Sequence, residues 1–334
     1  MPPMLRFDPC RVLIAVLALA SALSTGAPRA ADAVAAAATR VRFATVAEGR
    51  YALGADDAWI AATSDFQRAA TAGVPPPVSK AAFREFAAST VQAWPAAQEA
   101  RWRAAFDAVL ARAAALRVPL PEEILVVDTD GRDAANAPYT RGHAIVLPAA
   151  ALPPATSPTA DAFLVAHELF HVVSRHDPAL ANRLYALVGF EPVEPLQWPP
   201  AWLPARIANP DAPLDRHAMR IVIAGREALV MPLLVATRTE LRPGETFFSV
   251  MELRLLEVSA ALGRPTLPVL RGSEPVWHAP ARLPAYAERL GGNTGYILHA
   301  DEVLADNFAQ LVTGRTVANP GLLKRIEAAL LAPR

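Results

Sequence analysis

FLVAHELFHVVSRHDP (Phe163–Pro178) sets two histidines four residues apart, with a glutamate directly after the first, inside a run that is otherwise apolar. An imidazole or carboxylate buried without a partner is costly, so such groups come with partners or with a metal ion. The segment has the form H-E-x-x-H over His167, Glu168 and His171. On a helix, positions i and i+4 share a face one turn apart, so both imidazoles can reach one ion. Glu168, rotated about 100° from His167, can reach water held beside that ion. Zinc on nitrogen and oxygen ligands, with one position open, brings the pKa of its water to around neutrality. A carboxylate there can take the proton during attack on a carbonyl and return it to a leaving amine.

The motif's surroundings read as strand, then helix. GHAIVLPA (Gly142–Ala149) is a strand that ends at Pro148, and Ser157-Pro158 is a cap-and-first-turn signature for the helix that follows. Pro178 closes that helix or forces a new start. Upstream, EILVVDTDG (Glu123–Gly131) is a buried strand closed by a turn, and VRFATVAEG (Val41–Gly49) alternates like a strand. Residues 80–117 read as two helices divided at Pro95, with core stripes of Phe83, Phe86, Val91 and Trp94, then Trp102, Phe106, Val109, Leu110 and Ala113. Between Pro192 and Pro213, seven prolines in 22 residues, with Trp198 and Trp202 among them, forbid a helix or a central strand. An ordered loop or lid is predicted there. His217–Thr237 reads as a hairpin turning near Gly225, and Phe247–Val258 as a further strand. Asp301–Val312 and Leu322–Leu331 read as helices.

Of the 334 residues, 53% are hydrophobic and 19% charged, with a formal net charge of +0. A neutral chain has no electrostatic footprint for nucleic acid, so that partner is excluded. Arg6 and Arg11 precede a twelve-residue apolar run, Val12–Leu23. That is too short to cross a bilayer and suits a signal peptide. Ala31-Asp32-Ala33 and Ser24-Thr25-Gly26 both fit the small-x-small cleavage rule. The expected organisation is a signal peptide over residues 1–33 and one unit over 34–334, periplasmic or secreted. No stable membrane span is expected after the signal's removal, because Arg226 and Glu227 break the stretch Ile221–Ala236. Cys10 precedes the apolar run, so the mature chain would have no thiol or disulfide chemistry.

The HELFH motif resembles that of the zincin metallopeptidases. This resemblance implies an α+β zincin-like fold: a small mixed sheet, an active-site helix carrying HELFH, and a C-terminal helical part. It also implies Ala144–Pro148 as the edge strand of the cleft, where an extended peptide would add as one more strand. Zn2+ is the implied cofactor, His167 and His171 two of its ligands and Glu168 the general base. A catalytic zinc takes three protein ligands. Asp177, six residues beyond His171, has the metzincin-like spacing, but those families turn the chain at a glycine where this one has Ser174. Glu302 and Asp306, in HADEVLADNFAQLV (His299–Val312), resemble the second helix of the thermolysin-like gluzincins. There the glutamate binds zinc and the aspartate orients a ligand histidine. Glu302 is therefore the expected third ligand, and Asp177 its rival.

The chain as a whole also resembles exported bacterial proteins, which supply no substrate. The expected function is an exported zinc metallopeptidase acting on a peptide or protein. Two alternatives remain: a zinc amidase acting on cell-wall peptide, and a non-catalytic zinc-stabilised binding protein. An intact Glu168 speaks against the second. Tyr296 and His278 are candidate oxyanion donors outside the main set. His143, His176 and His217 read as surface or locally bonded groups.

Overall fold

Thr45 and Glu48 overrule the strand pattern that runs through them. The Glu48 amide donates to Thr45 Oγ1 (3.3 Å) and the Thr45 amide to Glu48 Oε2 (2.9 Å), a reciprocal helix cap. Strand β1 (Arg40–Phe43) therefore stops early and helix α1 (Val46–Leu53) begins, where the alternation of Val41–Gly49 predicts strand throughout. The computed structural model describes residues 39–153 and 157–333; the expected signal peptide, residues 1–33, lies outside them.

Three short helices that the sequence does not announce come next or soon after: α1 is followed by α2 (Ala58–Ala62) and α3 (Asp65–Ala72). Helices α4 (Lys80–Ser89) and α5 (Ala96–Ala115) flank Pro95 as expected, with Phe83, Trp102, Phe106, Val109 and Ala113 buried. Strands β2 (Glu123–Asp128), β3 (Tyr139–Arg141) and β4 (Ala144–Leu147) complete a mixed sheet of order β1-β2-β4-β3, with only β3 antiparallel. This corrects the expected edge. Ala144–Leu147 lies between two strands, because the chain reverses at Gly142 (φ +57°) and folds Tyr139–Arg141 outside it.

Ser157 caps α6 (Pro158–His176), whose C-terminal half carries the motif. Asp177 then caps α7 (Pro178–Ala186), its carboxylate accepting from the Leu180 amide at 2.9 Å. The C-terminal half of the chain builds a second sheet. Its strands are β5 (Phe190–Pro192), β6 (His217–Ile223), β7 (Arg226–Ala236), β8 (Met251–Ala261) and β9 (Arg264–Pro268). A small hairpin of β10 (Leu270–Arg271) and β11 (Glu274–Pro275) leads to β12 (Trp277–His278). The order is β12-β8-β7-β6-β5, all antiparallel, with β9 also on β8. Strand β8 starts later than Phe247 because Phe247–Ser249 is a 3-10 turn capped by Thr246.

In the proline-rich segment, Pro200–Ala205 forms a short 3-10 helix, and Trp198 and Trp202 pack on the second sheet with Leu196, Met231 and Leu256. Helices α8 (Pro284–Arg289), α9 (Ala300–Thr313) and α10 (Pro320–Leu331) end the chain. α9 lies along α6, with the Phe170 and Phe308 rings 5.6 Å apart, and α5 packs on the same helix. The largest hydrophobic cluster joins α5, α6, α7, α9 and α10 to both sheets. Among the described residues, no helix is long and apolar enough to cross a membrane.

Candidate metal centre

Between Leu164 and its last two residues, Arg175 and His176, helix α6 is apolar except for a stripe of His167, Glu168, His171 and Ser174. That stripe meets the acidic start of α9, and the two helices answer each other group by group. His167 Nδ1 bonds Asp306 Oδ1 and His171 Nδ1 bonds Asp301 Oδ1, both at 2.9 Å. With a carboxylate on each Nδ1, both rings turn Nε2 the same way. His167 Nε2 lies 3.2 Å and His171 Nε2 3.5 Å from one atom, Glu302 Oε2. Asp306 thus bonds a histidine of the motif, the partner expected for it. Asp301 does the same for the second histidine, a role the sequence reading left unassigned.

Asp301 is itself held by hydroxyls. Ser174 Oγ donates to its Oδ2 at 2.9 Å and Tyr185 Oη at 2.7 Å. Ser174 stands where a metzincin-like turn needs glycine, and here α6 continues through it. Asp177 consequently faces α7, away from the histidines: the rival third ligand is not brought to the site.

Glu168 bonds the first sheet rather than α9. Its Oε2 accepts from Thr140 Oγ1 (2.9 Å) on β3. A further acid joins it, Asp211, whose Oδ1 accepts from the Thr140 amide at 2.7 Å. Ligand atoms of Glu168, His171 and Asp211 lie within 4.8 Å of one another, as do those of His167, His171 and Glu302. These triads are not two metal sites. They share His171, which has one free nitrogen because Asp301 holds the other.

Asp211 comes from the end of the proline-rich segment, which crosses the site as a strap. Asn209 Nδ2 donates to Glu302 Oε1, and Arg175 Nη2 on α6 donates to the carbonyls of Pro210 (2.8 Å) and Asp211 (2.9 Å). Neither Asn209 nor Asp211 stood out in the sequence, where Asn-Pro-Asp reads only as turn chemistry.

Burial works against protonating the histidines, yet the carboxylates outweigh it. His167, bonded to Asp306 and Glu302, is held well above the usual histidine range, and His171 is raised to about 9 by Asp211, Glu302 and Asp301. Burial acts to raise Glu302, but His171, His167 and Asn209 pull it below the usual carboxylate range. Burial pushes Glu168 upward against the pull of His171, His167 and Thr140.

These residues fit a zinc ion. The donor set is two imidazoles and a carboxylate, each fixed from behind, as metal-ligating histidines are. His171 Nε2 is also fully buried with no hydrogen-bond partner among the described residues, a costly state that a metal ion relieves.

Of the other candidates, Tyr296 is at the site, its ring 5.9 Å from that of His167. His278 is bonded to Glu257 (2.8 Å) on the second sheet, His217 to Asn182 (2.9 Å), and the exposed His143 and His176 rings touch each other. No protein family matches the chain, and no curated protein or solved structure matches it.

Proposed function

We propose that the protein is an exported, zinc-dependent peptidase. His167, His171 and Glu302 hold the metal, and Glu168 is the general base. One observation carries this reading. Both Nε2 atoms converge on Glu302 Oε2 while both Nδ1 atoms are tied to carboxylates, and His171 Nε2 is otherwise orphaned. Zinc bound there supplies a Lewis acid and a water of near-neutral pKa.

Glu168, fixed by Thr140, takes the proton of the attacking water and passes it to the leaving amine. Tyr296 stays protonated beside His167, because burial and the carboxylates of Glu302 and Asp211 raise its phenol. It is thereby suited to donate to a developing oxyanion. Asp306, Asp301 and Asn209 orient the three ligands. A non-catalytic zinc protein has no use for Glu168, which stands outside the group of His167, His171 and Glu302 and bonds Thr140 instead. Export is supported by the charged start and short apolar run of residues 1–33.

The purified protein should carry about one zinc per chain. Glu168→Gln should keep that zinc and lower kcat on a mixed peptide library by about a hundred- to ten-thousand-fold. An unchanged kcat in this variant would remove Glu168 as the base and the peptidase mechanism with it.

A further inference from the structure

The strap is a wall, not a lid. Segments that open easily have few anchors, and this one is fastened along its length to both sheets and to the N-terminal helices. Ser64 Oγ donates to Arg206 O (2.7 Å), the Ile207 amide to Leu234 O (3.0 Å), and Trp59 Nε1 to Ala208 O (3.1 Å). Gln67 bonds Ala208 through both its amide atoms at 2.8 Å. Arg175 holds the far end, and Asn209 orients the ligand Glu302, so a strap that left would loosen the centre it crosses.

This wall closes the sheet edge. Thr140 lies on β3, the outer strand, and its amide already donates to Asp211 Oδ1. An extended chain cannot pair there and run on past the centre. The free pairing edge of β3 therefore ends at Asp211, beside His171 and Glu168.

Asp211 gives that end its chemistry. It is only 7% exposed, and its second oxygen accepts no hydrogen bond among the described residues. One of its oxygens lies within 4.8 Å of a His171 ring nitrogen and of a Glu168 oxygen. An α-amino nitrogen sits about 2.5 Å from the carbonyl carbon of its own residue, two bonds away. An acid this near the reacting centre therefore meets a terminal amine rather than the tip of a long side chain. Charge points the same way. Glu168, Asp211, Glu302, Asp301 and Asp306 surround the centre. These five acids outnumber the cations beside them, a zinc ion and Arg175. We infer that the centre selects substrates with a free amino terminus, whose ammonium lodges on Asp211, so that single residues are removed from the N-terminal end.

This inference rests on the peptidase reading, and its test separates the two. Binding of leucine hydroxamate and N-acetyl-leucine hydroxamate to the zinc-loaded full chain is measured by calorimetry. The free amine should bind about ten- to a hundred-fold more tightly, the contribution of a charge-assisted hydrogen bond. Asp211→Asn keeps an oxygen for Thr140 and removes the charge, so it should bring the two probes within about threefold of each other. Equal affinities in the wild type, a preference that survives Asp211→Asn, or no binding of either probe to the zinc-loaded chain overturns the inference. None of these touches the zinc stoichiometry or the effect of Glu168→Gln. A chain that takes up no zinc overturns the reading beneath it.

Discussion

Asp177 spends its carboxylate on the Leu180 amide, whereas Glu302 points one oxygen at two imidazoles and gives the other to Asn209. Zinc titrations should separate them. Glu302→Ala should abolish tight binding, and Asp306→Ala should weaken it roughly ten- to a hundred-fold by freeing a ligand ring. Asp177→Ala should leave zinc affinity unchanged and cost about 1 kcal/mol of stability through the lost cap. The opposite ranking would move the third ligand to Asp177. His217 offers a second check at this scale. Burial, with His299 and Arg216 nearby, depresses its pKa to about 3, while Nε2 bonds Asn182. The unfolded chain, titrating near 6.5, binds more protons than the folded one between these values. Stability from this group is complete above about pH 6.5 and is lost as pH falls toward 3, by at most ~1.4 kcal/mol per pH unit. His217→Gln should flatten that acid limb in denaturant titrations at a series of pH values. Parallel limbs would contradict the assignment.

At the scale of elements, what was legible is what local chemistry writes twice. Helix α6 has a cap at Ser157, a stop at Pro178 and a 3.6-residue period between them, and α9 has the same kind of period ending at Gly314. Both were readable, as was the pairing of their polar faces, because buried acids and buried imidazoles need each other. Strand β3 is not readable: three residues carry no period, so nothing in the sequence opposes the edge position that the resemblance implies for the strand beside it. The start of α1 was hidden for the opposite reason, since Val41–Gly49 alternates convincingly and only the Thr45–Glu48 cap breaks it. The pairing of α6 and α9 has a measurable consequence. Phe308 is fully buried and packs on Phe170, on the same helix as Glu302. Phe308→Ala should cost about 3–5 kcal/mol and also weaken zinc binding, although it touches no ligand. Full zinc affinity in a destabilised variant would show that Glu302 is held by the strap alone.

For the whole molecule, the centre sits where its charge state reaches everything. The proposed ligands are carried by α6 and α9, both in the largest hydrophobic cluster, and the strap ties them to α2 and α3, which lie between β1 and β2 in the chain. This linkage escaped the sequence because Asn209 and Asp211 lie far along the chain from the groups they meet, and no local period marks a contact between a loop and a sheet edge. Without metal, buried acids and two charged imidazoles must balance each other in a medium that solvates them poorly, which costs folding free energy. Zinc held as proposed would replace protons on both rings and bind only the folded chain, and so would stabilise it by mass action. At free zinc about a thousandfold above Kd that amounts to ~4 kcal/mol, or roughly 8 to 16 °C in Tm for a chain somewhat smaller than this one. Chelation should therefore lower Tm by several degrees. It should do so as one shifted transition, because the elements that hold the ligands also form the main core. Glu302→Ala should unfold at the same temperature with and without the chelator. A wild-type Tm indifferent to chelation would mean that the cluster balances its charges without a metal, and the zinc assignment would fall at the level of the fold.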